Sequence, residues 1–227
     1  MEAEKQLVQM SERLRLGLVL ALVGGYLDAY TFLCRGGVFA NAETGNMVLL
    51  GIHLALGEWA KAIKYLMPVM AFFFGVLLAE LVRTRLKDGT QSFHWRQWVV
   101  LLEILVLAAA SFVPMNATGD MIVNWSVGFV CALQVQSFRR VRGRVYATTM
   151  CTGNLRSGTE LLFHYFETKD KQLLVNALRY YAVITVFIAG AAISSWLSPR
   201  LGMRAPLLAC VGLFAALLMM HAPKGKE

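Results

Sequence analysis

Charge is what this chain has least of. Only 16% of its 227 residues are Asp, Glu, Lys or Arg, against about 25% in soluble domains. In their place, 57% of residues are hydrophobic and the mean hydropathy is +0.55. That balance argues against a water-soluble globule and puts the chain in the membrane class. Its apolar stretches are joined by short polar segments, so residues 1–227 read as a single membrane domain.

Cysteine is sparse and unpatterned. Cys34, Cys131, Cys151 and Cys210 show no CxxC or Cys/His spacing, so neither structural zinc nor a disulfide framework is expected. Each lies in or beside an apolar run, where a free thiol packs as a small hydrophobe. No metal or cofactor is expected. HExxH and GxSxG are missing, and no Ser or Cys in the apolar runs has an evident His base, so an enzyme is not expected. A cleavage site is missing too. The run Leu16–Leu33 follows Arg13 and Arg15 but continues through Asp28 to Arg35 without an A-x-A-like sequence, so it reads as a first span rather than a signal peptide. Residues 1–13 read as a short interfacial helix at most.

Apolar runs at Leu16–Leu33, Ala62–Val82, Trp98–Pro114, Met121–Phe138, Leu174–Leu197 and Ala205–Met220 give six expected transmembrane helices. Asn46–Leu56 and Leu155–Phe166 are too short to cross and suit re-entrant half-helices. With a cytoplasmic N-terminus, the inside carries fifteen basic residues, including Arg83, Arg85, Lys87, Arg96 and the cluster Arg139–Arg144. The outside carries five: Arg35, Lys61, Lys64, Arg200 and Arg204. That is the positive-inside pattern, with both termini cytoplasmic. The net charge of +8 is therefore mostly topology, and because the Arg139–Arg144 cluster abuts a span, no nucleic-acid partner is expected. Membrane lipid is the expected surrounding.

One motif is written twice. RGGVFANAETGN from Arg35 and RGRVYATTMCTGN from Arg142 share R-G-x-V-aromatic-A and then T-G-N, with one extra residue in the second copy. Downstream, Lys64-Tyr65, Gly75 and Arg85-Leu86 are answered by Arg179-Tyr180, Gly190 and Arg200-Leu201. Repeat 1 spans about 14–114 and repeat 2 about 119–221. Three crossings per half is an odd number, so the second copy is expected upside down, an inverted-topology internal repeat with its site near the midplane. The alternative is a duplication that survives only as architecture.

Val38–Ala42 and Val145–Met150 are extended-favouring segments whose backbone needs partners inside a membrane; pairing with each other is one solution. Thr44 and Thr152 then stand where an N-cap belongs, and Gly45 and Gly153 allow close approach. Two converging helix N-termini attract an anion or a carboxylate. Asn46 and Asn154 are placed to orient a ligand, or else the caps and asparagines satisfy each other. Ionisable groups inside apolar runs point the same way, because each must be paired or face a cavity. Asp28 in GGYLDAYTF is the clearest, with Gly24 and Gly25 one turn earlier inviting close helix contact. Gln134 and Gln136 stand near the corresponding depth in the second half. Asp28 and Glu103 are the proton-coupling candidates. Arg156 either pairs with Glu160 four residues on or strengthens an anion site. His53 and His164 read as interfacial, and Glu80 as water-reaching.

GGYLDAYTF, ANAETGNMVLLG and CTGN give the chain a resemblance, over nearly its whole length, to the YoaK family of small bacterial membrane proteins of uncharacterised function. The resemblance implies a bacterial inner (plasma) membrane location and names no substrate. The strand-plus-half-helix pattern is also similar, more remotely, to the core domain of the sulfate permease and nucleobase transporter superfamily without its gate helices. The expectation is thus an all-α polytopic membrane protein, transporter-like, binding a small anionic or polar solute between two half-helix N-termini. Its candidate binding residues are Asp28, Thr44, Gly45, Asn46, Gln136, Thr152, Gly153, Asn154 and Arg156. A non-transporting sensor or partner-binding subunit, and a homodimer that supplies its own gate, remain open.

Overall fold

The computed structural model describes residues 14–86, 95–138, 140–141, 144–145 and 151–221. Among these, eight α-helices form the protein: α1 (Leu14–Cys34), α2 (Glu43–Ala55), α3 (Trp59–Leu86), α4 (Trp95–Ala110), α5 (Ala117–Ser137), α6 (Cys151–Thr168), α7 (Lys171–Leu201) and α8 (Pro206–His221). Every expected apolar run becomes a helix. Three of them, α1, α3 and α7, are long and apolar enough to cross a membrane. The six-span expectation goes further than that. α4 and α8 have 16 residues each, short of the roughly 20 that a bilayer core requires. α5 has 21, but Asp120, Asn124, Ser126, Gln134 and Gln136 dilute its apolar character.

Large apolar side chains cover the outside. Phe73, Phe74, Leu77 and Leu81 on α3, Ile188, Ile193 and Trp196 on α7, and Val211, Phe214 and Leu218 on α8 are all exposed, a surface that suits lipid rather than water. The interior has its own core, with Leu16, Leu20, Leu27 and Tyr30 of α1 packed with Leu107 of α4, Val123 and Val127 of α5 and Leu213 of α8.

Glycine decides which helices touch. α1 packs on α7 and α3 on α5, while α2 lies on α3 and α6 on α7; α4 packs on α5 and α8, and α1 on α8. A Cβ at Gly25 would sit 2.0 Å from the Phe187 carbonyl oxygen, and one at Gly190 2.1 Å from that of Leu22. The α1–α7 crossing is therefore a main-chain contact that only glycine permits. Gly75 makes the corresponding approach of α3 to α5, where a Cβ would lie 2.6 Å from Phe129 O.

Arg35 locks one end of the bundle. Completely buried, it donates from Nε to Tyr30 Oη (2.7 Å), from Nη1 to Pro114 O (3.0 Å) and Asp120 Oδ1 (3.2 Å), and from Nη2 to Val113 O (2.9 Å). Asn124 donates to the Arg35 carbonyl at 2.8 Å. The first copy of the repeated Arg is thus a structural clasp joining the end of α1 to the α4–α5 connection. Its counterpart Arg142 lies outside the described residues. At the same end, Tyr26 Oη donates to Ala205 O at 3.0 Å. The α2–α3 turn is a surface feature in which Glu58 takes Lys61 Nζ at 2.7 Å and His53 Nδ1 at 2.5 Å. Lys61 first, then His53, holds the Glu58 carboxyl below its usual range.

The expected pairing of the two extended segments is replaced by something else. Val38–Ala42 is irregular, and its N–H groups go to side chains of α1: Ala40 N donates to Thr31 Oγ1 at 3.3 Å, and Asn41 N to Asp28 Oδ1 at 2.9 Å. Val145 pairs with Arg140 in a two-residue antiparallel ladder, β1 (Arg140–Val141) with β2 (Arg144–Val145). Residues 146–150 lie outside the described residues. The Thr31 hydroxyl and the Asp28 carboxylate satisfy those two donors locally, without a cross-strand partner.

Candidate functional site

A cavity of about 900 Å³ opens between the beginnings of α2 and α6, within the range that holds a small organic ligand. Its wall includes Asp28 of α1, Asn41, Glu43 and Thr44 at the start of α2, Cys151, Thr152 and Gly153 at the start of α6, and Ser195 of α7. Phe32, Phe39, Met47, Val69, Phe72 and Phe187 make the apolar remainder. The two T-G-N segments therefore face one shared space.

Both helices start earlier than the apolar runs that announce them. α2 begins at Glu43 and α6 at Cys151, which puts Thr44 and Thr152 one residue inside the helix rather than at the N-cap. Ala42 holds the cap position of α2 and makes no side-chain capping hydrogen bond, having no acceptor to offer. Ala42 therefore gives the start of α2 no side-chain cap of its own.

Of the expected binding residues, Asp28, Thr44, Thr152 and Gly153 line this space. Asp28 is 6% exposed, and its Oδ1 accepts from the Asn41 N–H at 2.9 Å. It therefore both faces the cavity and fixes the loop that leads into α2. Gly153 has open space where a Cβ would stand, whereas a Cβ at Gly45 would meet the Phe39 ring at 3.7 Å.

The other expected residues lie elsewhere, each for a visible reason. Asn46 is buried and turns back, donating from Nδ2 to Phe39 O at 2.5 Å and to Glu43 Oε2 at 3.1 Å; it braces the loop and is not on the cavity wall. Asn154 is buried in α6, outside the cavity wall. Gln136 donates to Glu80 Oε1, and Glu80 also receives Arg83 at 3.0 Å, so that polar group is a neighbouring cluster rather than part of the site. Gln134 donates to Leu20 O at 3.2 Å. The cavity-lining counterpart of Asp28 is Val135, which stands seven residues before Arg142 as Asp28 stands seven before Arg35. Arg156 is exposed on α6 and is not paired with Glu160 among the described residues. Glu103 is completely buried on α4, and neither carboxyl oxygen finds a hydrogen-bond partner among the described residues.

Sequence reading missed Asn41 and Glu43. Both stand inside the repeated motif, and their signal was position: polar side chains at the entrance of an apolar half-helix. Asn41 is 5% exposed, and among the described residues neither its amide atoms nor the buried Glu43 Oε1 has a partner.

No solved structure matches the chain, so the likeness to permease core domains finds no support there. UPF0700 transmembrane protein YoaK of Bacillus subtilis (strain 168) is 22% identical over 189 residues, covering 80% of this chain and 82% of that protein. The profile described as protein of unknown function (DUF1275) matches residues 16–219, and the chain belongs to that family.

Proposed function

We propose that this membrane protein binds a small polar solute in the cavity between the starts of α2 and α6, in the manner of a transporter. The observation that carries the reading is the shared wall: residues from both copies of the T-G-N motif line one space of about 900 Å³ bordered by α1, α2, α3, α5, α6 and α7. Six crossings with α2 and α6 re-entrant, an inverted repeat, and a bacterial inner-membrane location with cytoplasmic termini belong to the same proposal. What supports the repeat is exchange of packing partners. Swapping α1–α4 for α5–α8 carries the α1–α7 contact into α5–α3, α2–α3 into α6–α7, and α1–α8 into α5–α4. Within the expected range of solutes, a polar one fits better than an anion, because the wall carries Asp28 and Glu43 while Arg156 is not on it. Asp28 is the proton-coupling group in this reading. Asp28→Asn keeps an acceptor for the Asn41 N–H, so the variant should fold while solute binding loses its pH dependence.

The test is a solute screen by thermal shift on purified protein, since a ligand specific to the folded state raises apparent stability. Wild type and Gly153→Trp are run in parallel. The added ring enters the cavity from a position with no atom within 4 Å of its Cβ, so the variant should fold and lose every shift that arises at this site. Solutes that stabilise both proteins equally would remove the cavity from the account.

A further inference from the structure

We infer that the solute head group recognised by this cavity is a protonated amine on an apolar, preferably aromatic, body. The inference rests on the proposed solute site and names its chemical class.

Three observations combine. The ionisable groups on the described wall are the carboxyls of Asp28 and Glu43 and the Cys151 thiol, with no Lys, Arg or His among them. Two carboxyls on one cavity wall, Asp28 buried and Glu43 half-buried, favour a positive charge beside them, because an uncompensated charge removed from water is expensive. Asn41 is 5% exposed, and among the described residues its amide oxygen and nitrogen and Glu43 Oε1 have no partner and no accessible surface of their own. An ammonium group brings three donors, which the wall carboxyls of Asp28 and Glu43 accept, and rotation of the Asn41 amide oxygen toward the cavity supplies a further acceptor while Asp28 keeps the Asn41 N–H. The Phe32 and Phe39 rings stack at 4.5 Å with an interplanar angle of 17°, and both line the cavity beside Asn41. Aromatic faces attract a cation and accept a flat apolar body, which Phe72, Phe187 and Val69 extend. The starts of α2 and α6 both favour an anion, each by about half a charge. Glu43 in its own first turn offsets that of α2, and that of α6, which has no acidic residue in its first turn, is set against the full charges of the two wall carboxyls.

The experiment uses three probes with one body: phenethylamine, 2-phenylethanol and hydrocinnamate. Affinity is measured by titration calorimetry on wild type, Glu43→Gln and Gly153→Trp in detergent. Gln at position 43 can still accept from Asn46, so folding is retained and only the charge is lost. The expected result is phenethylamine binding at least ten-fold tighter than hydrocinnamate, an advantage reduced about ten-fold in Glu43→Gln, and no binding in Gly153→Trp. Hydrocinnamate binding as tightly as the amine, and blocked by Gly153→Trp, would overturn the amine preference while leaving the cavity as the solute site. Amine binding unaffected by Gly153→Trp would overturn both. Absence of binding by all three probes, when the solute screen finds other ligands sensitive to Gly153→Trp, would overturn the amine preference alone.

Discussion

At the scale of single residues, this protein carries its polar groups in two opposite ways. Arg35 is fully buried and makes four hydrogen bonds from its guanidinium, to Tyr30, Val113, Pro114 and Asp120. Removing one partner of such a cluster strands the others in a dry place, which typically costs about 3–5 kcal/mol. Arg35→Ala should therefore lower the melting temperature sharply, measured by fluorescence-detected size exclusion after heating, whereas Arg200→Ala on the exposed end of α7 should change it little. Glu103 is equally buried and has no partner among the described residues. A buried polar group without a hydrogen bond costs about 1–3 kcal/mol, so Glu103→Met should raise the melting temperature. A fall would show that the carboxyl is held by interactions outside the described residues. Asn46 gives the third case. Its amide donates to the Phe39 carbonyl at 2.5 Å, and Asn46→Asp would set two oxygens against each other, lowering stability rather than improving a helix start.

At the scale of elements, most of the helices were legible because membrane helices announce themselves by long apolar runs, and the runs at Ala62–Val82 and Leu174–Leu197 became the cores of α3 and α7. Their ends were less legible. α2 and α6 extend backwards through polar residues such as Glu43, Thr44 and Thr152, because helix formation there is decided by what the backbone can bond to and not by hydropathy. The extended segment before α2 was misread for the same reason: Asp28 and Thr31 of α1 supply its acceptors, a tertiary match that spacing along the chain does not reveal. The candidate site was legible where the repeat pointed, at Asp28, Thr44, Thr152 and Gly153, and illegible where side chains turned away, as at Gln136. Glycine offers the test at this scale. Gly25→Ala and Gly190→Ala each push a Cβ to about 2 Å from a main-chain oxygen of the facing helix and should separate α1 from α7 with marked loss of stability. Gly153→Ala meets no atom within 4 Å and should be neutral or stabilising by up to about 1 kcal/mol, the ordinary difference in helix propensity. Equal melting temperatures for all three would contradict the packing.

At the scale of the whole molecule, the first four helices and the last four pack across one another around a shared space. α1 packs on α7 and α3 on α5, and the starts of α2 and α6 arrive at the same wall, which is the arrangement the proposed repeat calls for. The most direct measurement is a cross-link across that wall. In a protein carrying Thr44→Cys, with Cys34, Cys131 and Cys210 replaced by Ala and the native Cys151 kept, a short bifunctional thiol reagent is applied to membranes and the product is read by mass. The account predicts an intramolecular bridge between positions 44 and 151, lost in the added presence of Gly153→Trp. Separate modification of both thiols with no bridge would contradict it, because the starts of α2 and α6 would then face different spaces.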